Sequence, residues 1–518
     1  MTRRAWVRLD NASNIFLAAR SDADPKVFRL SADLLEHDVD PELLQEALDT
    51  TYDRYPLYHA VLRRGVFWYY LQDSDLHPVV TAEHEPTCAP IYQADRRSLL
   101  FRVLYHRRRI VLEVFHALSD GTGALWFLSD LISAYVRLRY PEDGPPDEGA
   151  DPVGAAPGRE ERGGMRIRPG AERAPEDTAG QPHGLTTDSF AHYFRRRRAT
   201  APGPAFTREA TPAPLTVEEA ALPSSGGAAA PGRTPRPAGT KADHVKKVHR
   251  VRGSRAPDNR TRAVELTMPV KDVLALARAE GAALTMYLTA LFFESVRLSS
   301  GGLDDSRTLS ASVPVNLRQF FPSTSARNFF ATVRVEHTYG EGPDDLGSIC
   351  RQLEGQFRPK ATPESLERKL RTFIRFERMP ALRIVPRPLK DVILGLVNRA
   401  SNRGLSVAVS NLGRAGLPEP AGSHVRRVLF QVSAARPQFC AISHGDLLTV
   451  SFTSPFTETD HIREFARLLT SRGVDVTVAA ARVTEAELTG TAPTEDELAE
   501  DEFAEGELTE GESAEAGR

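Results

Sequence analysis

Two long stretches of this chain are patterned like folded protein, and a segment of different composition separates them. Residues 1–141 and 263–484 carry apolar runs typical of strands and the i, i+3, i+4 spacing typical of helices. Residues 142–262 are rich in Pro, Gly, Ala and Arg, and residues 485–518 are acidic and poor in aromatics. Such segments bury too little apolar surface to offset their ordering entropy. The sequence therefore predicts two α+β lobes with a cleft between them, a largely disordered insertion at 142–262 and a disordered tail at 485–518.

Composition narrows the class of protein. The 518 residues are 41% hydrophobic and 26% charged, which is typical of a soluble globular protein. The first residues contain no apolar signal segment, and no apolar run approaches the roughly 18 residues that cross a bilayer. Cys88, Cys350 and Cys440 lie far apart, which argues against disulfides and a cysteine zinc site. We expect a cytoplasmic protein with no membrane span, no metal and no permanently bound cofactor.

The charge is unevenly distributed along the chain. Residues 485–518 contain 13 Asp and Glu against one Arg, so the net charge of −3 leaves about +9 on the remainder. A basic body suits a phosphate-bearing ligand such as coenzyme A or an acidic carrier protein. Arginine-rich loops that serve no ligand explain the surplus equally well. We find no pattern that favours a nucleic-acid partner.

A histidine follows an apolar strand-like run at residues 111–115, and a helical pattern begins five residues later. An imidazole at the end of a rigid strand, such as His116, is suited to take a proton from an alcohol or amine. Asp120 is expected to pair with a buried cation and fix the loop. Gly121 allows a tight turn or a close approach to a ligand. The alternative from the residues alone is that His116 is structural or merely solvated.

The segment His116-Ala117-Leu118-Ser119-Asp120-Gly121 resembles the HxxxDG motif of the coenzyme A-dependent acyltransferase superfamily. That superfamily includes chloramphenicol acetyltransferases and condensation domains of nonribosomal peptide synthetases. Residues 54–56 with 62–71, 314–318 with 328–330, and 409–413 resemble bacterial alcohol acetyltransferase-like proteins. The resemblance implies a two-lobed chloramphenicol acetyltransferase-like fold with mixed sheets and a cleft between the lobes.

The resemblance also implies roles for individual residues. His116 would be the general base, and Asp120 would be structural and salt-bridged to an arginine, for which Arg54 is the candidate. Ser410 is the candidate donor to the oxyanion of the tetrahedral intermediate. The alternative for Ser410 and Asn411 is that they simply cap a strand before a turn.

Three residues are candidates for binding the acyl donor: Asn316, Arg318 and Asn411. A buried structural ion pair is an equally good interpretation of Arg318. No metal ligand set is expected, because the chain lacks the spacing of a His-Glu-x-x-His or cysteine–histidine site.

The leading functional hypothesis is transfer of an acyl group, acetyl by default, from a coenzyme A thioester to a small alcohol or amine. Acyl-CoA is then a co-substrate. A second hypothesis keeps the chemistry but takes the acyl group from an acyl carrier protein in a lipid or peptide pathway. A third is a catalytically inactive protein of the same fold that only binds ligands or partners. Condensation domains usually carry two adjacent histidines, whereas this chain has Phe115 before His116. This difference weakens the carrier-dependent hypothesis.

Overall fold

The computed structural model describes residues 5–9, 11–93, 96–141, 193, 248–255, 260–303, 307–377 and 385–480. Most of the predicted insertion and all of the predicted acidic tail lie outside the described residues. The described strands are β1 (Trp6–Arg8), β2 (Val27–Leu34), β3 (Ala60–Arg64), β4 (Tyr69–Asp73), β5 (Thr81–Ala82), β6 (Phe101–His106), β7 (Arg109–Phe115), β8 (Arg262–Pro269), β9 (Thr308–Asn316), β10 (Phe330–Thr338), β11 (Val407–Arg414), β12 (Val425–Val432), β13 (Gln438–His444), β14 (Leu447–Ser454) and β15 (Thr477–Ala480).

The described α-helices are α1 (Asn11–Ala18), α2 (Pro41–Arg54), α3 (Gly121–Arg139), α4 (Val270–Ala279), α5 (Leu284–Ser299), α6 (Leu346–Phe357), α7 (Pro363–Glu377), α8 (Arg387–Arg403) and α9 (Asp460–Thr470). Short 3-10 turns span Leu317–Gln319 and Arg358–Lys360. Among the described residues, no helix combines the length and the apolar character that crossing a bilayer requires.

The N-terminal lobe is built on a mixed five-stranded sheet in the order β12-β2-β7-β6-β5. Its strands pair antiparallel except β5, which runs parallel to β6. All but the first residue of β7 is buried, as expected for a strand covered on both faces. Helices α2 and α3 pack against each other, and α3 packs on β2 and β7. This packing fixes the end of β7, where the HxxxDG segment begins.

The C-terminal lobe is built on a mixed seven-stranded sheet in the order β10-β9-β11-β13-β14-β8-β15. Strand β11 runs parallel to both β9 and β13, and the other pairs are antiparallel. Helix α5 is apolar on nearly all sides because it is packed between other elements, among them α6 and α9. Its buried Phe292 contacts Phe439 and Phe452 of the sheet.

The two lobes are joined by a strand exchange that the sequence did not reveal. Strand β12 belongs by sequence to the C-terminal lobe, yet it pairs with β2 of the N-terminal sheet. A cluster of charges reinforces the junction: Arg109 contacts Asp33 and Glu265 at 2.6 and 2.8 Å, and Arg427 contacts Asp33 at 2.6 Å. Two α+β lobes with mixed sheets agree with the architecture expected from the sequence.

The boundary of the insertion differs from the sequence estimate at its C-terminal end. Residues 248–255 fall within the predicted insertion, yet Val248 forms a β-bridge with Thr308 and Ser254 donates to the Glu458 carboxylate at 2.8 Å. These residues therefore contact the C-terminal lobe.

Candidate active site

His116 follows the last residue of β7 and lies where the two lobes meet. Its N–H donates to the carbonyl of Lys26 at 2.8 Å. Asn328 Nδ2 donates to the carbonyl of His116 at 2.7 Å. Because Lys26 belongs to the N-terminal lobe and Asn328 to the C-terminal lobe, the backbone of His116 is held from both sides.

Aromatic rings surround the imidazole of His116. Phe16 of α1 stacks on it with ring centroids 3.9 Å apart and planes 11° apart, and Phe28 of β2 meets it edge-on at 5.0 Å. Burial lowers the pKa of His116 from 6.5 to about 4, although its own backbone carbonyl and the Asp120 carboxylate act in the opposite direction. The imidazole is therefore neutral at pH 7, the form that accepts a proton.

The two ring nitrogens of His116 differ in their surroundings. Nδ1 is buried and has no hydrogen-bond partner among the described residues. The residue as a whole is partly exposed. Nε2 is not among the buried atoms that lack a hydrogen-bond partner, so the two nitrogens are not equivalent.

Asp120 holds the start of α3. Its Oδ1 accepts from the Gly123 N–H at 2.9 Å, so it is the N-cap of the helix. Its Oδ2 accepts from Arg318 Nη1 and from the Phe329 N–H, both at 2.8 Å. The carboxylate is buried, and both of its oxygens accept hydrogen bonds from the protein.

The arginine partner of Asp120 was predicted incorrectly. Arg54 is the exposed last residue of α2, and the salt bridge of Asp120 is made by Arg318. Arg54 cannot serve because its side chain is exposed, whereas the carboxylate of Asp120 is buried. The side chains of Asp120 and Arg318 are each only 7% exposed.

Arg318 is occupied by contacts within the protein. Its Nη2 donates to the carbonyls of Ser325 at 2.8 Å and Arg327 at 2.7 Å. Asn316 Oδ1 accepts from the backbone N–H of Arg318 at 3.0 Å, and Asn316 Nδ2 donates to Thr122 at 3.3 Å. Arg318 therefore forms a buried ion pair, which was the alternative to a role in binding the acyl donor. Asn316 connects the two lobes through its hydrogen bond to Thr122.

The segment 325–330 encloses the HxxxDG loop from the C-terminal lobe. Ser119 Oγ donates to the Ala326 carbonyl at 2.6 Å. A Cβ placed on Gly123 would lie 2.3 Å from that same oxygen, so the close approach requires glycine. Asn328 is the site residue that the sequence analysis did not assign, although the Asn328-Phe329-Phe330 string was among the resemblances.

Strand β11 approaches the start of α3. A Cβ on Gly121 would lie 2.8 Å from Leu412 Cδ2, so Gly121 makes room for this strand. Ser410 is partly exposed on β11 and lies two residues before Leu412. The pairing of β11 with β13 becomes irregular between Asn411 and Arg414.

Asn411 shapes the end of β11. Its Nδ2 donates to Thr285 at 3.0 Å and its Oδ1 accepts from the Gly413 N–H at 2.8 Å. Gly413 has a φ of +76°, a value that favours glycine. The Oδ1 of Asn411 is thus used within the turn, whereas its Nδ2 contacts helix α5.

No protein-family model matches the chain, and no curated protein matches it. Solved structures do match over nearly the whole chain. Polyketide synthase associated protein 5 from Mycobacterium tuberculosis is 13% identical, with a TM-score of 0.51, covering 90% of this chain and 98% of that one. TRI3 trichothecene 15-O-acetyltransferase from Fusarium sporotrichioides is 10% identical, with a TM-score of 0.52, covering 91% of this chain and 95% of that one.

A third match is F. graminearum TRI101, solved in complex with coenzyme A and deoxynivalenol. It is 11% identical with a TM-score of 0.51, and the match covers 92% of this chain and all of that one. At these identities the likeness concerns the fold. The chain has the two-lobed, mixed-sheet coenzyme A-dependent acyltransferase fold that the sequence predicted.

Proposed function

We propose that this protein is an acyltransferase that moves an acyl group from a coenzyme A thioester to an alcohol or amine. The observation that carries the proposal is His116 itself: it follows β7 at the junction of the lobes, it is partly exposed, and its pKa is lowered to about 4, so its imidazole is neutral at pH 7. The fold shared with TRI3 and TRI101 supports acyl transfer as the general chemistry.

His116 acts as the general base in this proposal. Nε2 accepts the proton of the acceptor hydroxyl or amine while the acceptor oxygen or nitrogen attacks the thioester carbonyl. The tetrahedral intermediate collapses with cleavage of the C–S bond, and the imidazolium returns its proton to the leaving thiolate. The acyl group passes directly to the acceptor, so no covalent acyl-enzyme is required.

The surroundings of the imidazole prepare it for this step. The rings of Phe16 and Phe28 keep it neutral and fix its plane. The proposed step requires the tautomer with the proton on Nδ1 and the lone pair on Nε2.

Stabilisation of the oxyanion is assigned to Ser410. It is partly exposed on β11, two residues before Leu412, whose side chain lies against Gly121 of the motif. A hydroxyl aimed at developing negative charge contributes to rate without a cost of reorganisation.

The test is release of free thiol from acyl-CoA in the presence of a panel of small alcohols and amines, with acetyl-CoA as the first donor. The proposal predicts thiol release that depends on both the protein and an acceptor, with a matching acylated product by mass spectrometry. The same panel with an acyl group loaded on a carrier protein distinguishes the donor. Absence of turnover with either donor would favour a protein that only binds its ligands.

A further inference from the structure

Helix α8 turns its apolar side away from the body of the protein. Leu389, Val392, Ile393, Leu396 and Val397 follow helical spacing, and all five are exposed; Val392 and Leu396 are each 58% exposed. No residue of α8 is buried. A surface helix of a globular protein normally directs its apolar stripe inward, so this helix is oriented for another environment.

Polar groups hold α8 in this orientation. Asp391 accepts a hydrogen bond from the Tyr69 hydroxyl at 2.9 Å, and Arg387 Nη1 donates to the carbonyl of Gly65 at 3.1 Å. The backbone N–H of Arg387 donates to the carbonyl of Val66 at 3.0 Å. The outward direction of the apolar side is therefore set by specific contacts with the turn between β3 and β4.

The elements around α8 extend the apolar surface. Val66 and Phe67, in that turn, are 71% and 43% exposed, and α1, which packs against α8, carries the exposed Ile15. Trp6 of β1 is also exposed and contacts Tyr70 of β4. Nine of the thirteen large hydrophobic side chains exposed in the described part of the chain lie on these elements, so the exposure is concentrated rather than scattered.

The same region is positively charged. Helix α8 contains four basic residues and one acidic residue, and that acidic residue is Asp391, which faces Tyr69. Arg399 and Arg403 are exposed near the C-terminal end of the apolar face. The Lys390 ammonium lies 3.5 Å from the centre of the Trp68 ring. An apolar face with basic flanks and adjacent aromatic rings is the pattern of a helix that lies in a membrane interface.

We propose that α8 and the β3–β4 turn form a docking surface for an anionic lipid bilayer. The apolar face would enter the boundary between headgroups and acyl chains while the arginines contact lipid phosphates. A second copy of the chain fits less well, because it would bring two basic surfaces together. The acidic segment 485–518 complements the charge but offers only four large apolar side chains, Leu488, Leu498, Phe503 and Leu508, without helical spacing.

The experiment is sedimentation of the full-length protein with vesicles of phosphatidylcholine alone and of phosphatidylcholine mixed with phosphatidylglycerol. The wild type is expected to sediment with the mixed vesicles and much less with the neutral ones. Val392→Asp combined with Leu396→Asp is expected to lower the binding constant by about tenfold or more. Val79→Asp combined with Val478→Asp is the matched control, because these side chains are 69% and 55% exposed elsewhere on the surface.

Exposed positions tolerate such changes, and circular dichroism verifies that each variant is folded. Arg399→Glu with Arg403→Glu is expected to weaken binding to the mixed vesicles selectively. The proposal would be overturned if the wild type bound neither kind of vesicle. It would also be overturned if the α8 variant and the control lost vesicle binding to the same extent. Two other results would also overturn the proposal. If the protein self-associates and the α8 substitutions abolish this, the surface binds a second copy of the chain. If vesicle binding appears only after removal of residues 485–518, that segment covers the surface.

Discussion

The carboxylate of Asp120 and the guanidinium of Arg318 meet at 2.8 Å across the junction of the two lobes. One belongs to the loop that presents His116 and the other to the 3-10 turn after β9. Because Asp120 also caps α3 and accepts the Phe329 N–H, this pair ties the candidate base of the N-terminal lobe to the segment of the C-terminal lobe that encloses it.

The buried pair is expected to be essential for stability. Arg318→Met leaves the Asp120 carboxylate buried without its counter-charge, which should lower the free energy of unfolding by about 3–5 kcal/mol. Arg463→Met, which removes an exposed pair with Asp460, should cost less than about 1 kcal/mol. Urea denaturation of both variants measures the free energy of unfolding. Equally small decreases in the two variants would contradict the stabilising role of the Asp120–Arg318 pair.

Gly123 is expected to tolerate no side chain. Gly123→Ala places a Cβ 2.3 Å from the Ala326 carbonyl oxygen, and the forced shift should destabilise the protein by about 1–3 kcal/mol. Gly355, inside α6, has no atom within 4 Å of the added Cβ, so Gly355→Ala should stabilise by about 0.5–1 kcal/mol. Thermal unfolding compares the two, and a neutral Gly123→Ala would show that the loop is not closely packed.

Asn328 is expected to position His116 without contacting the acceptor. Asn328→Ala removes the hydrogen bond to the His116 carbonyl and should reduce kcat by about tenfold or more, with a smaller change in KM. Ser13→Ala, which removes the other acceptor of Asn328 Nδ2 and leaves the bond to His116, should keep kcat near that of the wild type. A change confined to KM in Asn328→Ala would place the residue in ligand binding instead.

The acid limb of the pH–rate profile is expected at low pH. The pKa of His116 is lowered to about 4, so the base stays neutral, and kcat/KM stays constant, as the pH falls from 7 towards that value. Phe16→Ala admits water to the ring and should move the limb up towards 6.5. Steady-state rates over a pH series, at pH values where the protein remains folded, provide the measurement. If the acid limb of the wild-type pH–rate profile had its midpoint at 6.5, the role of ring burial in lowering the pKa of His116 would be contradicted.

The local sequence pattern was sufficient to predict the elements on either side of the HxxxDG segment. The apolar run before His116 and the amphipathic spacing after Gly121 predict a strand and a helix, and β7 and α3 end and begin at those positions. The type of partner for Asp120 was also predictable, because a buried carboxylate requires a cation. Its identity was not, since Arg318 lies 198 residues away and no local spacing encodes that contact.

Other features left no periodic signal. Asn328 acts through one side-chain bond to a backbone carbonyl, which no sequence spacing reveals. Strand β12 has the composition of an ordinary strand, and its exchange into the other lobe depends on tertiary pairing. The amphipathic pattern of α8 indicates a helix but does not say that its apolar side faces outward.

In the proposed reaction His116 removes the proton of the acceptor. The most direct measurement compares acyl-CoA-dependent acylation by the wild type, His116→Gln and His461→Gln. His461 is the control because its pKa is also lowered to about 4, yet it lies on α9. We expect kcat to fall by about 10²–10⁴ in His116→Gln with the fold intact, and to change little in His461→Gln. Undiminished turnover in His116→Gln would contradict it.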